Sequence, residues 1–137
     1  MRFLLAALIS AALSTAAHAE VVAHVDVSDQ LLTLSKDGEV LYQWPVSTAR
    51  RGKITPRGKF KAEFLSRYHR SSLYNNAPMP YSVFFSGNYA VHGTDQISRL
   101  GRPASAGCIR LDPKNAAILF AMAKTEGLDQ TVILITD

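Results

Sequence analysis

The chain has 137 residues, 47% of them hydrophobic and 19% charged, with a formal net charge of +4 and one cysteine. That length suits a single domain, the apolar content excludes a disordered chain, and a lone thiol excludes an intramolecular disulfide scaffold. The positive charge points to an anionic partner without naming it.

Residues 1–19 read MRFLLAALISAALSTAAHA. Arg2 precedes an apolar run from Phe3 to Leu13, and Ala17-His18-Ala19 supplies a small-x-small site. These are the three parts of a secretory signal peptide. A membrane anchor needs about 20 apolar residues, and this run is shorter. Cleavage after Ala19 leaves Glu20–Asp137, a domain of 118 residues with no transmembrane anchor, exported to the periplasm or cell envelope. Disulfides are normal in such compartments, so the unpaired Cys108 is either a buried, inert group or a reactive one.

Val21–Val27 alternates, with Val21, Ala23, Val25 and Val27 on one face, and predicts a strand. Leu31–Ser35 and Val40–Val46 flank Lys36-Asp37-Gly38-Glu39, whose Asp-Gly pair predicts a hairpin. Gly58–Leu65, Tyr81–Phe85, Tyr89–Val91 and Thr131–Thr136 are further strand candidates. Residues 66–80, SRYHRSSLYNNAPMP, follow neither period and predict an irregular lid or substrate-lining loop, or else a plain surface excursion, with His69 either a solvated loop histidine or an imidazole supplied to the site from this loop. Asp112 as cap, Pro113 at the first helical position and Gly127 as terminator bracket one helix, apolar around most of its circumference. Many strands with one helix in the C-terminal half mean a mainly β domain, a sandwich or partly open barrel.

Between Arg50 and Arg110 stand eleven lysines or arginines against two acids, Glu63 and Asp95. This segment predicts a cationic face for a carboxylate-rich or phosphate-rich ligand. Export argues against nucleic acid as that ligand.

Ala90-Val91-His92-Gly93-Thr94 leads to Ser105-Ala106-Gly107-Cys108-Ile109-Arg110-Leu111. The thiolate is the nucleophilic form of cysteine, and neighbouring cations or a helix N-terminus favour it. Arg102, Arg110 and an adjacent histidine are therefore expected to favour a reactive Cys108. His92 is the natural base for its proton. Gly107 leaves the backbone N–H groups around Cys108 unobstructed, as donors to an oxyanion.

These elements, with Val25–Gln30, Trp44-Pro45-Val46-Ser47-Thr48 and Thr55-Pro56-Arg57-Gly58-Lys59-Phe60, resemble the catalytic domain of the L,D-transpeptidase (YkuD-type) family. The resemblance spans nearly all of residues 20–137 and implies that fold, with mixed sheets, and peptidoglycan cross-linking. It implies Cys108 as nucleophile, His92 as base and the Gly93 carbonyl as the group that orients the imidazole. It places the oxyanion donors at Gly107 and Cys108 within the motif begun by Ser105. Arg110, with Thr94 and Tyr81, is the expected substrate-binding set, although Arg110 could equally brace the loop. The implied partners are peptidoglycan stem peptides, with a second stem peptide, water or an envelope protein as acyl acceptor. Neither metal nor organic cofactor is required. One departure stands out: the family usually has a second histidine where this chain has Ala106. A non-catalytic peptidoglycan-binding module is the alternative reading.

Overall fold

The computed structural model describes residues 7–11 and 20–137. Apart from residues 7–11, the predicted signal segment lies outside them. Among the described residues no helix is long and apolar enough to cross a membrane.

Strict alternation in β1 (Val21–Asp26) turns Val21, Ala23 and Val25 into the core. β2 (Leu31–Lys36) does the same with Leu32 and Leu34, and joins β3 (Glu39–Pro45) through the Asp37-Gly38 turn, both residues at positive φ. β4 (Gly58–Lys61) and β9 (Thr131–Thr136) complete a five-stranded sheet in the order β3-β2-β1-β9-β4. The second sheet has the order β5-β6-β7-β8, from β5 (Phe64–Arg70), β6 (Pro78–Ser86), β7 (Tyr89–Gly93) and β8 (Ile109–Leu111). Each sheet is mixed, because β1 runs parallel to β9 and β7 parallel to β8.

The α-helix α1 (Pro113–Glu126) begins where the Asp112 carboxylate accepts from the Lys114 N–H at 2.9 Å. It buries Ala116, Leu119 and Ala123 against β6, β7 and β1. One continuous core joins both sheets and the helix, from Val21, Leu34 and Ile133 to Phe85, Ile109 and Leu119. The mainly β fold of mixed sheets with one helix expected from the sequence is the one observed.

Two local expectations need correction. Gly58–Leu65 is not one strand: Gly58–Lys61 joins the first sheet and Phe64–Arg70 the second. Ala62 and Glu63 carry the chain between them, their N–H groups bonding Thr131 and Phe84 carbonyls. Residues 66–80 are mostly strand, and only 71–77 form a turn. Asn75 and Asn76 take its positive-φ positions, which asparagine tolerates. The alternation was hidden because this hairpin stands out from the core, with exposed Tyr68 beside half-buried His69. Tyr81, at φ +54°, then breaks the alternation of β6, so Met79 and Phe84 share one face while Val83 and Phe85 serve the main core.

Ile133 is fully buried on β9, paired with Ala23 on one side and Phe60 on the other. Ile133→Ala is expected to lower unfolding stability by about 3 kcal/mol in urea titration. Val40→Thr, on the exposed edge strand β3, should stay within about 0.5 kcal/mol.

Candidate active site

The parallel pairing of β7 and β8 sets the site. His92 is in register with Arg110, and Val91 with Ile109. Side chains two apart share a face, so Cys108, two residues before Arg110, lies on the face of His92 and Arg110. Ile109 and Leu111 point the other way, into the core. All three polar side chains open onto a cavity of about 540 Å³, whose other wall is the β5–β6 hairpin with His69, Tyr74, Met79 and Phe84.

His92 is 6% exposed, and its Nδ1 lies 2.6 Å from the Gly93 carbonyl oxygen. A carbonyl only accepts, so Nδ1 carries the proton and Nε2 keeps a free lone pair. Burial pushes the ring down to about 4, against the Gly93 bond, which raises it; the Arg110 and His69 charges lower it further. The half-buried Cys108 thiol donates to the Asn88 carbonyl at 3.6 Å. Burial raises its pKa, opposed by a backbone hydrogen bond from Ala90 and by the Arg110 charge. The resting pair is therefore neutral thiol and neutral imidazole. This corrects the expectation of a cation-stabilised thiolate. Arg102 does not line the cavity, and Cys108 is followed directly by strand β8 rather than by α1.

The loop carrying Cys108 is held by polar contacts. Ser105, 1% exposed, donates its Oγ to the Cys108 carbonyl at 2.6 Å and accepts from the Gly107 N–H at 3.0 Å. Gly107 N–H is thus already engaged, whereas no backbone carbonyl among the described residues accepts from Cys108 N–H. Of the two oxyanion donors expected from the sequence, only Cys108 N–H is free. Thr55 Oγ1 accepts from Ala49 N–H at 3.0 Å and donates to the Gly107 carbonyl at 2.8 Å. Gly107 has φ +140°, and a Cβ there would sit 2.8 Å from both the Ile54 carbonyl and the Tyr89 ring. Gly93 is small for another reason: its Cβ would meet Pro113 and Pro80 at 3.0 Å.

A model of the YkuD family, the L,D-transpeptidase catalytic domain, matches residues 20–134. The chain belongs to that family. It is 26% identical over 102 residues to the YkuD protein of Bacillus subtilis (strain 168), covering 72% of this chain and 57% of the relative. Its fold superposes on an L,D-transpeptidase from Mycobacterium smegmatis with TM-score 0.77 at 27% identity, covering 87% of this chain and 59% of that one. The L,D-transpeptidase LdtMt1, in complex with imipenem, gives TM-score 0.77 at 25% identity, covering 86% and 59%. The chain thus spans under two thirds of the length of these relatives.

Within this YkuD domain the other expected residues divide. Thr94 is buried at the cavity, its Oγ1 accepting from the Gln96 N–H at 3.1 Å. Arg110 lines the cavity and donates Nη1 to Gln96 Oε1 at 3.2 Å; burial, then the Arg99 and Arg50 charges, push its pKa down. No carboxylate among the described residues forms an ion pair with it. Tyr81 does not belong to the site. It packs edge-on against Phe120 of α1 at 5.6 Å, and its hydroxyl accepts from Arg67. The cationic-face expectation shrinks likewise, since only Arg50 and Arg110 of the eleven basic residues reach the cavity. Sequence reasoning missed Phe84, Asn88, Tyr89 and Gln96 as lining residues, and Thr55 as a brace. The Thr-Pro-x-Gly-x-Phe element was the available signal for Thr55. Among the described residues no cluster of His, Cys, Asp or Glu could hold a metal.

Because the folded pKa of His92 lies near 4 against about 6.5 unfolded, the unfolded chain binds the extra proton between these values. Stability is fully present above about pH 6.5 and is lost as pH falls through 4, by about 3 kcal/mol in total. Urea titrations of wild type and His92→Gln should converge as pH drops across that window. Gly107→Ala forces the Ile54 and Tyr89 contacts apart and is expected to cost about 1–3 kcal/mol in thermal or urea unfolding.

Proposed function

We propose that this domain is a peptidoglycan L,D-transpeptidase with Cys108 as nucleophile and His92 as its base. The observation that carries the proposal is the Nδ1 bond of His92 to Gly93, which leaves Nε2 as a proton acceptor in the cavity that Cys108 shares. A buried neutral imidazole does not store the thiol proton at rest; it takes it as the sulfur attacks. The attacked bond is the amide between the L-centre of a diamino acid and the terminal D-alanine of a stem tetrapeptide. A C–S bond forms, the Cys108 N–H supports the oxyanion, and the C–N bond breaks. D-alanine leaves with the proton returned by His92, and a thioester remains. The amine of a second stem peptide resolves it to a 3→3 cross-link; water or an envelope-protein amine would use the same residues.

Arg110, which forms no ion pair with a carboxylate among the described residues, is assigned to a carboxylate of the donor. Ser105 and Thr55 are braces of the loop, and Ala106 contributes no group that moves a proton. The signal-peptide pattern of residues 1–19 supports the periplasm or cell envelope as the place of this chemistry.

Incubation with a stem tetrapeptide is expected to release D-alanine and to add the tripeptide acyl mass to the protein. Cys108→Ala should show neither, and His92→Gln should slow acylation by about 10²–10⁴-fold. Imipenem, found in complex with a structural relative, should give a Cys108-dependent mass adduct. Failure of the wild-type protein to release D-alanine or to form any adduct would remove the catalytic reading.

A further inference from the structure

His69 is the one imidazole of the cavity to which the mechanism above gives no task. It sits on β5 opposite Met79 of β6 and packs edge-on against Phe84 at 4.8 Å. Met79, Phe84 and Ala90 form a small apolar cluster against which Cys108 itself packs. His69 therefore stands across one layer of side chains from the sulfur. Among the described residues its ring makes no hydrogen bond, so both nitrogens are available to a ligand. The two rings differ in depth. His92 is buried at the floor on β7, whereas His69 is half-buried on the hairpin that ends in the exposed turn around Leu73 and Tyr74.

The two half-reactions make different demands on these positions. Acylation needs a base beside the sulfur, which is the floor. Transfer needs an acceptor amine, which enters after D-alanine has left and arrives as an ammonium ion. It cannot attack until that first proton is gone. The remaining cavity acid, Asp95, stands near the Arg110 guanidinium, whose charge it tempers.

We infer that His69 is a catalytic residue of the transfer step, accepting the first proton of the incoming ammonium on the hairpin side of the cavity. The proton passes to His69 and on to water. The freed amine attacks the thioester carbonyl, a C–N bond forms, and its second proton goes to His92. The C–S bond then breaks and the Cys108 sulfur takes that proton back, so thioester and amine become amide and thiol. The inference rests on the transpeptidase reading.

The test separates the half-reactions. Thioester formed from a stem tetrapeptide is isolated on wild type, His69→Gln and His69→Phe, then mixed with a stem-peptide amine or with buffer alone. His69→Phe keeps an aromatic edge against Phe84, guarding against loss of packing. Amine transfer from the isolated thioester should fall about 10- to 100-fold relative to its hydrolysis in both variants. The partition between cross-link and hydrolysis shifts accordingly, which a merely structural role would not produce. Unchanged transfer in both variants overturns the inference, as does a parallel fall in acylation and transfer. Absence of any thioester on wild type would overturn the transpeptidase reading itself, and the inference with it.

Discussion

From Gly101 to Cys108 the chain has almost no regular structure, and its shape is imposed by a bracket of hydrogen bonds from residues 46–55. Val46 and Thr48 carbonyls accept from Gly101, Ala104 and Ser105; Ser47 exchanges two bonds with Arg110; Arg50 N–H bonds Ser105. Thr55 closes the bracket on Gly107. The bracket is itself anchored, because Gln30 spans Val27 and both the N–H and the hydroxyl of Thr48. Each bond contributes only about 1 kcal/mol net. Leaving a buried partner unpaired costs more, so the set acts as a unit. Everything that reaches the cavity from β8 and its approach depends on that unit.

Within this frame both reactive groups are held in their neutral forms. The desolvation that raises the Cys108 thiol and lowers the His92 ring acts in the same sense on the pair: it disfavours separated charge until a substrate supplies compensating dipoles. Arg110 favours thiolate and disfavours imidazolium, so it does not simply promote an ion pair. Such a site exposes little nucleophile to solvent between turnovers, and reactivity is coupled to occupancy of the cavity.

Strands with one buried face were legible because alternation is a direct consequence of one side meeting the core, as in β1 and β2 with Val21 and Leu32, and β9 was legible from its β-branched run. The capped helix followed from Asp112, Pro113 and Gly127 for equally local reasons. The β5–β6 hairpin was not legible, since its pattern answers to a cavity and to solvent, and Tyr81 resets its phase. Cys108, His92 and Gly93 could be named from motif and resemblance. That Gly107 N–H is spent on Ser105, that Tyr81 turns toward α1, and that Arg50 alone among the more distant cations joins Arg110 are facts of three-dimensional closure. No local pattern carries them.

The parallel pairing of β1 with β9 has a temporal consequence. β1 is the central strand of the five-stranded sheet, yet one of its edges waits for Thr131–Thr136, and β4 has no partner in that sheet except β9. A chain emerging from the ribosome cannot close this sheet until its last strand has been made. Such long-range pairing is slow, and until it forms one edge of β1 has unpaired backbone groups. The five-stranded sheet is thus the last to be completed, when its first and last strands meet.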